Sequence, residues 1–271
     1  MRHGARILNR GTMEPACWHD GTSARNYGTS HPAPRNPSTL AVWNRVMGIT
    51  RSFTDLLSFF GGRRSNDASQ AAADLPPRPE EPLYPTKALA KLLKHLQARD
   101  NPLLIDLGPV VGSNVNFFGE QLGCRIRVED IAADLDRHVK ADTVDQLPKF
   151  FESRFAQKAE TVDGILCWDV FDYVDRVSAQ SLATALTKLL RPDGVLLGFF
   201  STADTRAQLY TKYVIVDPAN LCYRTYPATR PRQRALLNRD IIRLFEHLRV
   251  TDSFLMKTRM REILFRKPAY L

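Results

Sequence analysis

The sequence predicts an α/β protein with a doubly wound, mostly parallel sheet that ends in an antiparallel hairpin. Three observations lead to this fold class. Short apolar runs alternate with stretches of helical periodicity through the middle of the chain, as in parallel strands joined by helices. A glycine-bearing loop follows the first of these runs, where open α/β sheets bind their ligands. Two further apolar runs close the chain with only a short turn between them.

The elements follow in order from Leu83, where we expect the folded domain to begin. Thr86 is placed to cap a helix whose apolar face consists of leucines 89, 92, 93 and 96. Leu103–Ile105 predicts a buried strand that ends at Asp106, followed by the glycine loop and a helical stretch to about residue 122. Arg125–Val128 predicts the next strand.

The second half of the sheet is predicted from residue 164 onward. Apolar runs at 164–168 and 195–200 predict two strands, with a helix at Ser181–Leu190 between them. Asn238–His247 predicts a last helix, and Val250–Met256 and Arg261–Phe265 predict the closing hairpin at a sheet edge. Only a dozen residues separate Asp130 from Asp142, so the helix and third strand expected there are compressed.

Three regions are expected along the chain. Residues 1–46 are rich in Arg, Gly, Pro, Ser, Thr and Asn without a hydrophobic period, which predicts a disordered tail. Residues 47–82 predict a short amphipathic helix followed by a Pro-rich linker. Residues 83–271 predict the folded domain, with an insertion on the substrate side at about 204–236.

Composition limits the classes of protein. The chain has 271 residues and a net charge of +9, and 44% of its residues are hydrophobic, which is enough for a packed core. No apolar run reaches the roughly 18 residues of a membrane span. The four cysteines form no C-x-x-C pair, so we expect no zinc or dithiol site and no other metal, and a reducing, cytoplasmic location. Oligomeric state is left open.

The net charge is unevenly distributed along the chain. Residues 83–204 carry 14 basic and 17 acidic groups, whereas residues 205–271 carry 14 basic and 5 acidic groups. The last quarter therefore has a surplus of basic groups equal to that of the whole chain. Such a region can hold an anionic acceptor or grip the phosphates of RNA or DNA, although no RNA-binding signature is present.

The loop after the first predicted strand contains the residues that say most about the ligand. Asp106-Leu-Gly-Pro-Val-Val-Gly112 places a carboxylate at the end of a strand, directly before the glycine turn. The G-x-G-x-x-G pattern of dinucleotide sites is not satisfied, and a carboxylate at this position would repel a pyrophosphate. A cationic ligand suits the loop better.

Three more segments follow at ordered positions: Val128-Glu129-Asp130, Trp168-Asp-Val-Phe-Asp-Tyr-Val174 and Leu189-Leu-Arg-Pro-Asp-Gly194. Together with the glycine loop they resemble the motifs of the class I S-adenosylmethionine-dependent methyltransferases. The resemblance covers about residues 100–200. It implies a Rossmann-like methyltransferase fold, S-adenosyl-L-methionine as cofactor and a transferase activity. Val110 departs from the family by occupying the place of the middle glycine.

The resemblance also implies roles for single residues. Asp106 would receive the methionine ammonium group, with Gly108 and Gly112 shaping the loop around it. Glu129, or its neighbour Asp130, would bind the ribose hydroxyls. The remaining implied cofactor contacts are Asp142 at the adenine amino group, and Trp168 and Asp169 beside the methyl donor. The nearest candidates for a catalytic base are Asp169, Asp172 and Tyr173.

The acceptor is expected to meet the segment that follows the fifth strand. Four of the eight tyrosines fall within residues 210–226, and we expect Tyr213, Tyr223, Arg224 and Tyr226 to bind a small molecule of acidic or aromatic character. A surface hairpin with arginines for solubility is the alternative for this segment. For the whole chain, the alternatives are an RNA methyltransferase, a non-catalytic cofactor-binding or scaffold protein of the same fold and, third, a hydride-transferring dehydrogenase.

Overall fold

The computed structural model describes residues 81–205 and 207–269. The predicted tail at 1–46 and nearly all of the predicted helix and linker at 47–82 lie outside the described residues. Within the described residues, no helix is long and apolar enough to cross a membrane.

A six-stranded sheet forms the centre of the fold, in the order β3-β2-β4-β5-β9-β8. Neighbouring strands among β3, β2, β4 and β5 are parallel, whereas β9 is antiparallel to both β5 and β8. The mostly parallel sheet with a closing hairpin is therefore confirmed. The strands are β2 (Leu103–Asp106), β3 (Arg125–Val128), β4 (Val162–Trp168), β5 (Leu190–Ser201), β8 (Arg249–Leu255) and β9 (Met260–Arg266).

Helices cover both faces of this sheet because successive strand side chains point to opposite sides. Ile105 and Ile165 face one apolar cluster, and their neighbours Leu104 and Leu166 face another. The helix α1 lies on the second face, and α3, α4, α5 and α6 lie on the first. The helices are α1 (Ala88–Gln97), α2 (Gly112–Asn116), α3 (Ile131–Lys140), α4 (Leu147–Arg154), α5 (Arg176–Leu189) and α6 (Asn238–Leu244).

The Tyr-rich insertion forms an antiparallel hairpin of β6 (Leu209–Asp217) and β7 (Asn220–Pro227). The short strand β1 (Leu83–Pro85) pairs with β7 and completes a three-stranded sheet. This second sheet joins the apolar cluster of α1 through residues such as Tyr213 and Leu221. The insertion is thus a packed layer of the fold.

Several boundaries differ from the prediction. The helix α5 begins at Arg176, five residues before the predicted start, because the Asp175 carboxylate accepts the amide N–H groups of Val177 and Ser178. The fifth strand begins earlier than predicted, at Leu190 directly after α5, and it contains a left-handed residue, Asp193, at an irregularity in its pairing with β4. Between α3 and β4 the described chain has the helix α4 and no strand.

A buried carboxylate from the far end of the chain completes the start of α1. Thr86 Oγ1 accepts the Leu89 amide at 3.4 Å, as the predicted cap requires. Glu262 of β9, which is fully buried, accepts the amides of Lys87 and Ala88 through Oε2 at 3.0 and 2.9 Å. A negative group at a helix N-terminus also interacts favourably with the helix dipole.

Gly164 allows α1 to lie close to β4. A methyl group on its Cα would be 2.9 Å from Leu96 Cδ2 and 3.1 Å from Leu104 Cδ1. We expect Gly164→Ala to lower the free energy of unfolding by about 1–2 kcal/mol, because both leucines must shift in a packed core. Urea unfolding measures the change. Gly119→Ala is the control, since a methyl group there meets nothing within 4 Å; an equal loss in both variants would contradict the packing argument.

Candidate functional site

A cleft opens at the carboxyl ends of β2 and β4, between the glycine loop, α3 and the hairpin. Its empty volume is about 320 Å³, including the part open to solvent. Among the described residues that line it, Asp169 is the only one with a charged side chain. Four aromatic side chains form much of the wall: Trp168, Tyr173, Tyr210 and Tyr226.

Asp106 lies buried beside the cleft, at the end of β2. Its Oδ1 accepts the Gly108 amide N–H at 2.8 Å and the Trp168 indole N–H at 2.7 Å. Burial raises the pKa of Asp106 to about 6 against the opposing effect of these two hydrogen bonds, and the charge of Asp130 raises it further. A cation bound here would favour the ionised carboxylate.

Trp168 covers the glycine loop. It ends β4 at an irregularity in the pairing with β5 and has a φ of 48°, which is rare for a bulky residue. A methyl group on the Cα of Gly108 would lie only 2.8 Å from Trp168 Cδ1. The indole also stacks in parallel on the ring of Tyr213, with the two ring centroids 5.0 Å apart. Such backbone strain is concentrated at ligand clamps and switches.

The hairpin is attached to the same loop by Asn114 of α2, the helix that begins at Gly112. Asn114 is buried; its Nδ2 donates to the Tyr213 carbonyl at 2.8 Å, and its Oδ1 accepts the Ile215 amide at 2.9 Å. Val110 is exposed, and its φ is not positive. A side chain in place of the middle glycine therefore causes no backbone strain.

We expect Asn114→Ala to lower the free energy of unfolding by about 2 kcal/mol, because it leaves a buried N–H and a buried carbonyl of β6 without partners. Hydrogen exchange at the Ile215 amide should accelerate before global unfolding. Asn116→Ala, on the exposed side of the same helix, is the control. Unchanged exchange at Ile215 would contradict this role of Asn114.

The two predicted ribose-binding acids have different surroundings. Glu129 is buried in ion pairs with Arg127 and Arg154, the latter at 2.8 Å. Asp130 has a φ of 40°, caps α3 by accepting the Ala133 amide at 3.1 Å, and affects the titration of cleft groups. Asp130 is thus a cap of α3 that does not line the cleft, and Glu129 is held on arginines. Asp142 is exposed in the turn after α3 and does not line the cleft.

The three candidate catalytic residues converge on one arginine. Arg232 Nη2 lies 2.5 Å from Asp169 Oδ2, Nη1 lies 2.8 Å from Asp172 Oδ2, and Nε donates to the Tyr173 hydroxyl at 3.0 Å. The guanidinium also lies over the ring of Tyr173, 5.2 Å from its centroid. Both carboxylates are at least 95% buried.

Two buried carboxylates share this single cation. Burial and then the charge of Asp169 raise the pKa of Asp172 to about 7, despite Arg232 and the Ser201 amide. Burial also raises the pKa of Asp169, against the charge of Arg232. The pKa of Tyr173 rises far above its usual value, chiefly by burial, and its hydroxyl donates to the Leu209 carbonyl. Near neutral pH, Asp172 can accept a proton and Tyr173 cannot.

Arg232 was not among the predicted site residues, although it lies only six residues beyond the Tyr-rich segment 210–226. It belongs to residues 228–235, which we call the strap, between β7 and α6. Further contacts hold the strap at the mouth of the cleft. Thr229 contacts Asp136 of α3, which also accepts the Tyr210 hydroxyl at 2.9 Å. The Gln233 amide donates to the Asp172 carbonyl at 2.6 Å.

The four predicted acceptor-binding residues do not share one surface. Tyr226 lines the cleft, whereas Tyr213 is buried behind Trp168. Tyr223 stacks on Tyr84 at a centroid distance of 4.2 Å. Arg224 forms a bidentate ion pair with Glu81 through Nε and Nη2, at 3.1 and 2.8 Å.

No protein-family model matches the chain, and no curated protein sequence does. Solved structures do match it. A 1,6-didemethyltoxoflavin-N1-methyltransferase from Burkholderia thailandensis, with bound S-adenosylhomocysteine, is 16% identical over 89% of this chain and 93% of that one, with a TM-score of 0.41. An S-adenosylmethionine-dependent methyltransferase from Clostridium acetobutylicum is 12% identical over 66% of this chain and 91% of that one, with a TM-score of 0.38.

A [4+2]-cyclase, SpnF, also matches, at 9% identity over 75% of this chain and 92% of that one, with a TM-score of 0.45. All three TM-scores are below 0.5, and no family is assigned to the chain from them.

Proposed function

We propose that this protein is an S-adenosyl-L-methionine-dependent methyltransferase that acts on a small-molecule acceptor. The observation that carries the proposal is the cleft, in which four aromatic rings and the carboxylate of Asp169 surround a space at the carboxyl ends of β2 and β4. Aromatic faces with a carboxylate attract methyl-bearing cations. The sulfonium of the cofactor is such a cation.

The residues fit the cofactor if one side chain moves. Asp106 would receive the ammonium group, and Gly108, which lines the cleft, would meet the cofactor once the Trp168 indole that is hydrogen-bonded to Asp106 rotates away. The Glu129 carboxylate is held by two arginines, so we assign the ribose hydroxyls to Asp130. The bound cofactor supplies a methyl group on a positively charged sulfur, which needs no acid to leave.

The protein's own residues then position the reactants and take up a proton. The aromatic walls exclude water, and in-line placement of the acceptor accounts for most of the rate. Asp169 lines the cleft, and Asp172 lies directly behind it on the same arginine. A proton released by a hydroxyl or amine acceptor passes to this pair of carboxylates.

Of the two characters expected for the acceptor, we retain the aromatic one. Arg224 was the predicted acceptor-binding residue that favoured an acidic group, and it already binds a carboxylate of the protein, as Arg232 does. The cleft itself offers aromatic rings and a negative charge. A planar acceptor would lie against Tyr210 and Tyr226, which neighbour each other across the hairpin.

Calorimetric titration with S-adenosylmethionine and S-adenosylhomocysteine tests the proposal, followed by incubation with labelled cofactor and fractionated cell extract. We expect both compounds to bind and the label to enter a low-molecular-mass fraction. The proposal fails if neither compound binds at any pH between 6 and 9. Label in RNA would replace the small-molecule acceptor by a nucleic acid.

A non-catalytic cofactor-binding or scaffold protein is the second candidate. The observations that favour it are the indole lying on Gly108 and the arginines holding Glu129, both in places where the cofactor would otherwise bind. Binding of S-adenosylmethionine without label transfer to any extract fraction would support this candidate over the enzyme.

A further inference from the structure

The guanidinium of Arg232 is bound in the way a protein binds a cationic ligand. Asp169, Asp172 and the Tyr173 hydroxyl contact three different nitrogens of it at 2.5, 2.8 and 3.0 Å. The ring of Tyr173 supplies a fourth, cation–π contact. Charge-assisted hydrogen bonds that are shielded from water, as these are, are stronger than hydrogen bonds between neutral groups.

The residues that hold the guanidinium and the residue that supplies it belong to different parts of the fold. Asp169, Asp172 and Tyr173 follow β4 in the centre of the sheet, and Phe171 between them packs in the main core. Arg232 extends from the strap, which has neither helix nor strand structure. The carboxylates therefore belong to the packed sheet, whereas the cation that faces them comes from a connecting segment held by hydrogen bonds such as that from the Gln233 amide to the Asp172 carbonyl.

The occupied position adjoins the cleft. Asp169 and Tyr173 contact Arg232 and also line the cleft where we place the cofactor. A group bound in place of Arg232 would thus share a carboxylate and an aromatic ring with the methyl donor. Two negative charges faced by one guanidinium favour a positively charged group over a neutral one.

We propose that Asp169, Asp172 and the ring of Tyr173 form a binding site for a cationic nitrogen group, a guanidine or an amine, and that Arg232 occupies this site in place of the acceptor. The acceptor role rests on the proposed function, whereas the cation-binding site does not depend on it. It adds a basic nitrogen to the aromatic acceptor proposed above. The strap must release Arg232 before the acceptor nitrogen can bind.

In the transfer step the bound cation first gives a proton to the carboxylate of Asp169 or Asp172, which leaves a lone pair on the acceptor nitrogen. This lone pair forms the bond to the methyl carbon, and the carbon–sulfur bond breaks with its electron pair remaining on sulfur. The positive charge thereby passes from sulfur to the methylated nitrogen. No oxidant, reductant or metal takes part.

The binding site is tested without the cofactor, in Arg232→Ala. The probes are N-methylguanidinium and N-methylurea at millimolar concentration, which have similar shape but differ in charge. We expect methylguanidinium to bind Arg232→Ala at least about tenfold more tightly than it binds Arg234→Ala, an exposed arginine of the same strap, and methylurea to bind neither. Asp169→Asn in the Arg232→Ala background should abolish the binding.

If Arg232→Ala does not fold on its own, the same two compounds are added during refolding. Recovery of the native circular dichroism with methylguanidinium alone supports the cation site. Equal effects of the charged and uncharged compounds, in binding or in refolding, overturn it.

The acceptor role is tested by adding labelled S-adenosylmethionine to Arg232→Ala with N-methylguanidine. We expect label in the guanidine and none when Asp169 and Asp172 are both replaced by Asn. If both ligands bind and no label is transferred, the acceptor role is wrong. If methylguanidinium binds and S-adenosylmethionine does not, the proposed function fails while the cation site stands.

Discussion

Replacement of Arg232 by methionine is expected to lower the free energy of unfolding by about 3–5 kcal/mol at pH 8, because it leaves two buried carboxylates without their cation. Methionine retains most of the apolar volume of the stem, so the loss reports the charge. Urea unfolding followed by circular dichroism measures it. Arg234→Met, an exposed change on the same strap, should alter the stability by less than about 0.5 kcal/mol.

The loss of stability in Arg232→Met should be smaller at low pH than at high pH. The pKa of Asp172 is about 7 in the folded protein, above its ordinary value of 3.8, and Arg232 acts to lower it. Between these values the folded state binds more protons than the unfolded state, so stability increases as the pH falls. Without Arg232 the carboxylates protonate at still higher pH. The variant should therefore recover much of its stability at pH 5, and equal losses at pH 5 and pH 8 would contradict the charge argument.

A second substitution tests whether the loss of stability arises from having two uncompensated carboxylates side by side. Asp172→Asn in the Arg232→Met background removes one of the two uncompensated charges, and the Asn side-chain oxygen can still accept the Ser201 amide. The double variant should be more stable at pH 8 than Arg232→Met alone. This is the non-additivity expected of groups in one network.

The sequence was sufficient for the sheet because its strands are short apolar runs separated by turns or helices. The contacts that the sequence did not predict are those between residues far apart along the chain. Gly108, Trp168 and Asp169 lie in local segments and line one cleft, and Asp106 lies beside it, hydrogen-bonded to Trp168. Asn114, Asp136 and Arg232 act through partners 60 or more residues away, so no local pattern marks them. Such pairings are set by the way the hairpin and strap pack on the sheet.

The choice between Glu129 and Asp130 shows the same limit on a smaller scale. Both follow β3, and the order of the residues favoured Glu129. In the structure, Asp130 adopts a left-handed conformation and turns its carboxylate to the start of α3, while Glu129 pairs with Arg154 from α4. Glu129 also pairs with Arg127, two residues away, so only the Arg154 contact and the backbone angle of Asp130 lie beyond what the adjacent sequence shows.

Asp106→Asn is expected to weaken the binding of S-adenosylmethionine by at least about 100-fold at pH 8, since the ammonium group loses a buried, charged partner. The fold should persist, because the Asn oxygen can still accept the Gly108 and Trp168 N–H groups. Calorimetric titration measures the affinity. Asp142→Asn, at the exposed acid predicted to contact the adenine, should change it by less than about threefold, within the range of ordinary surface substitutions.

The pH dependence of S-adenosylmethionine binding distinguishes the effect of the charge of Asp106 from that of its hydrogen bonds. The pKa of the buried carboxylate is about 6 in the free protein, and a cationic ligand binds the ionised form. Wild-type affinity should therefore increase as the pH rises through about 6 and level off above it. In Asp106→Asn this increase should be absent, and any dependence left near pH 7 belongs to Asp172, whose pKa is about 7. Equal wild-type affinity at pH 5 and pH 8 would show that the ammonium group binds elsewhere.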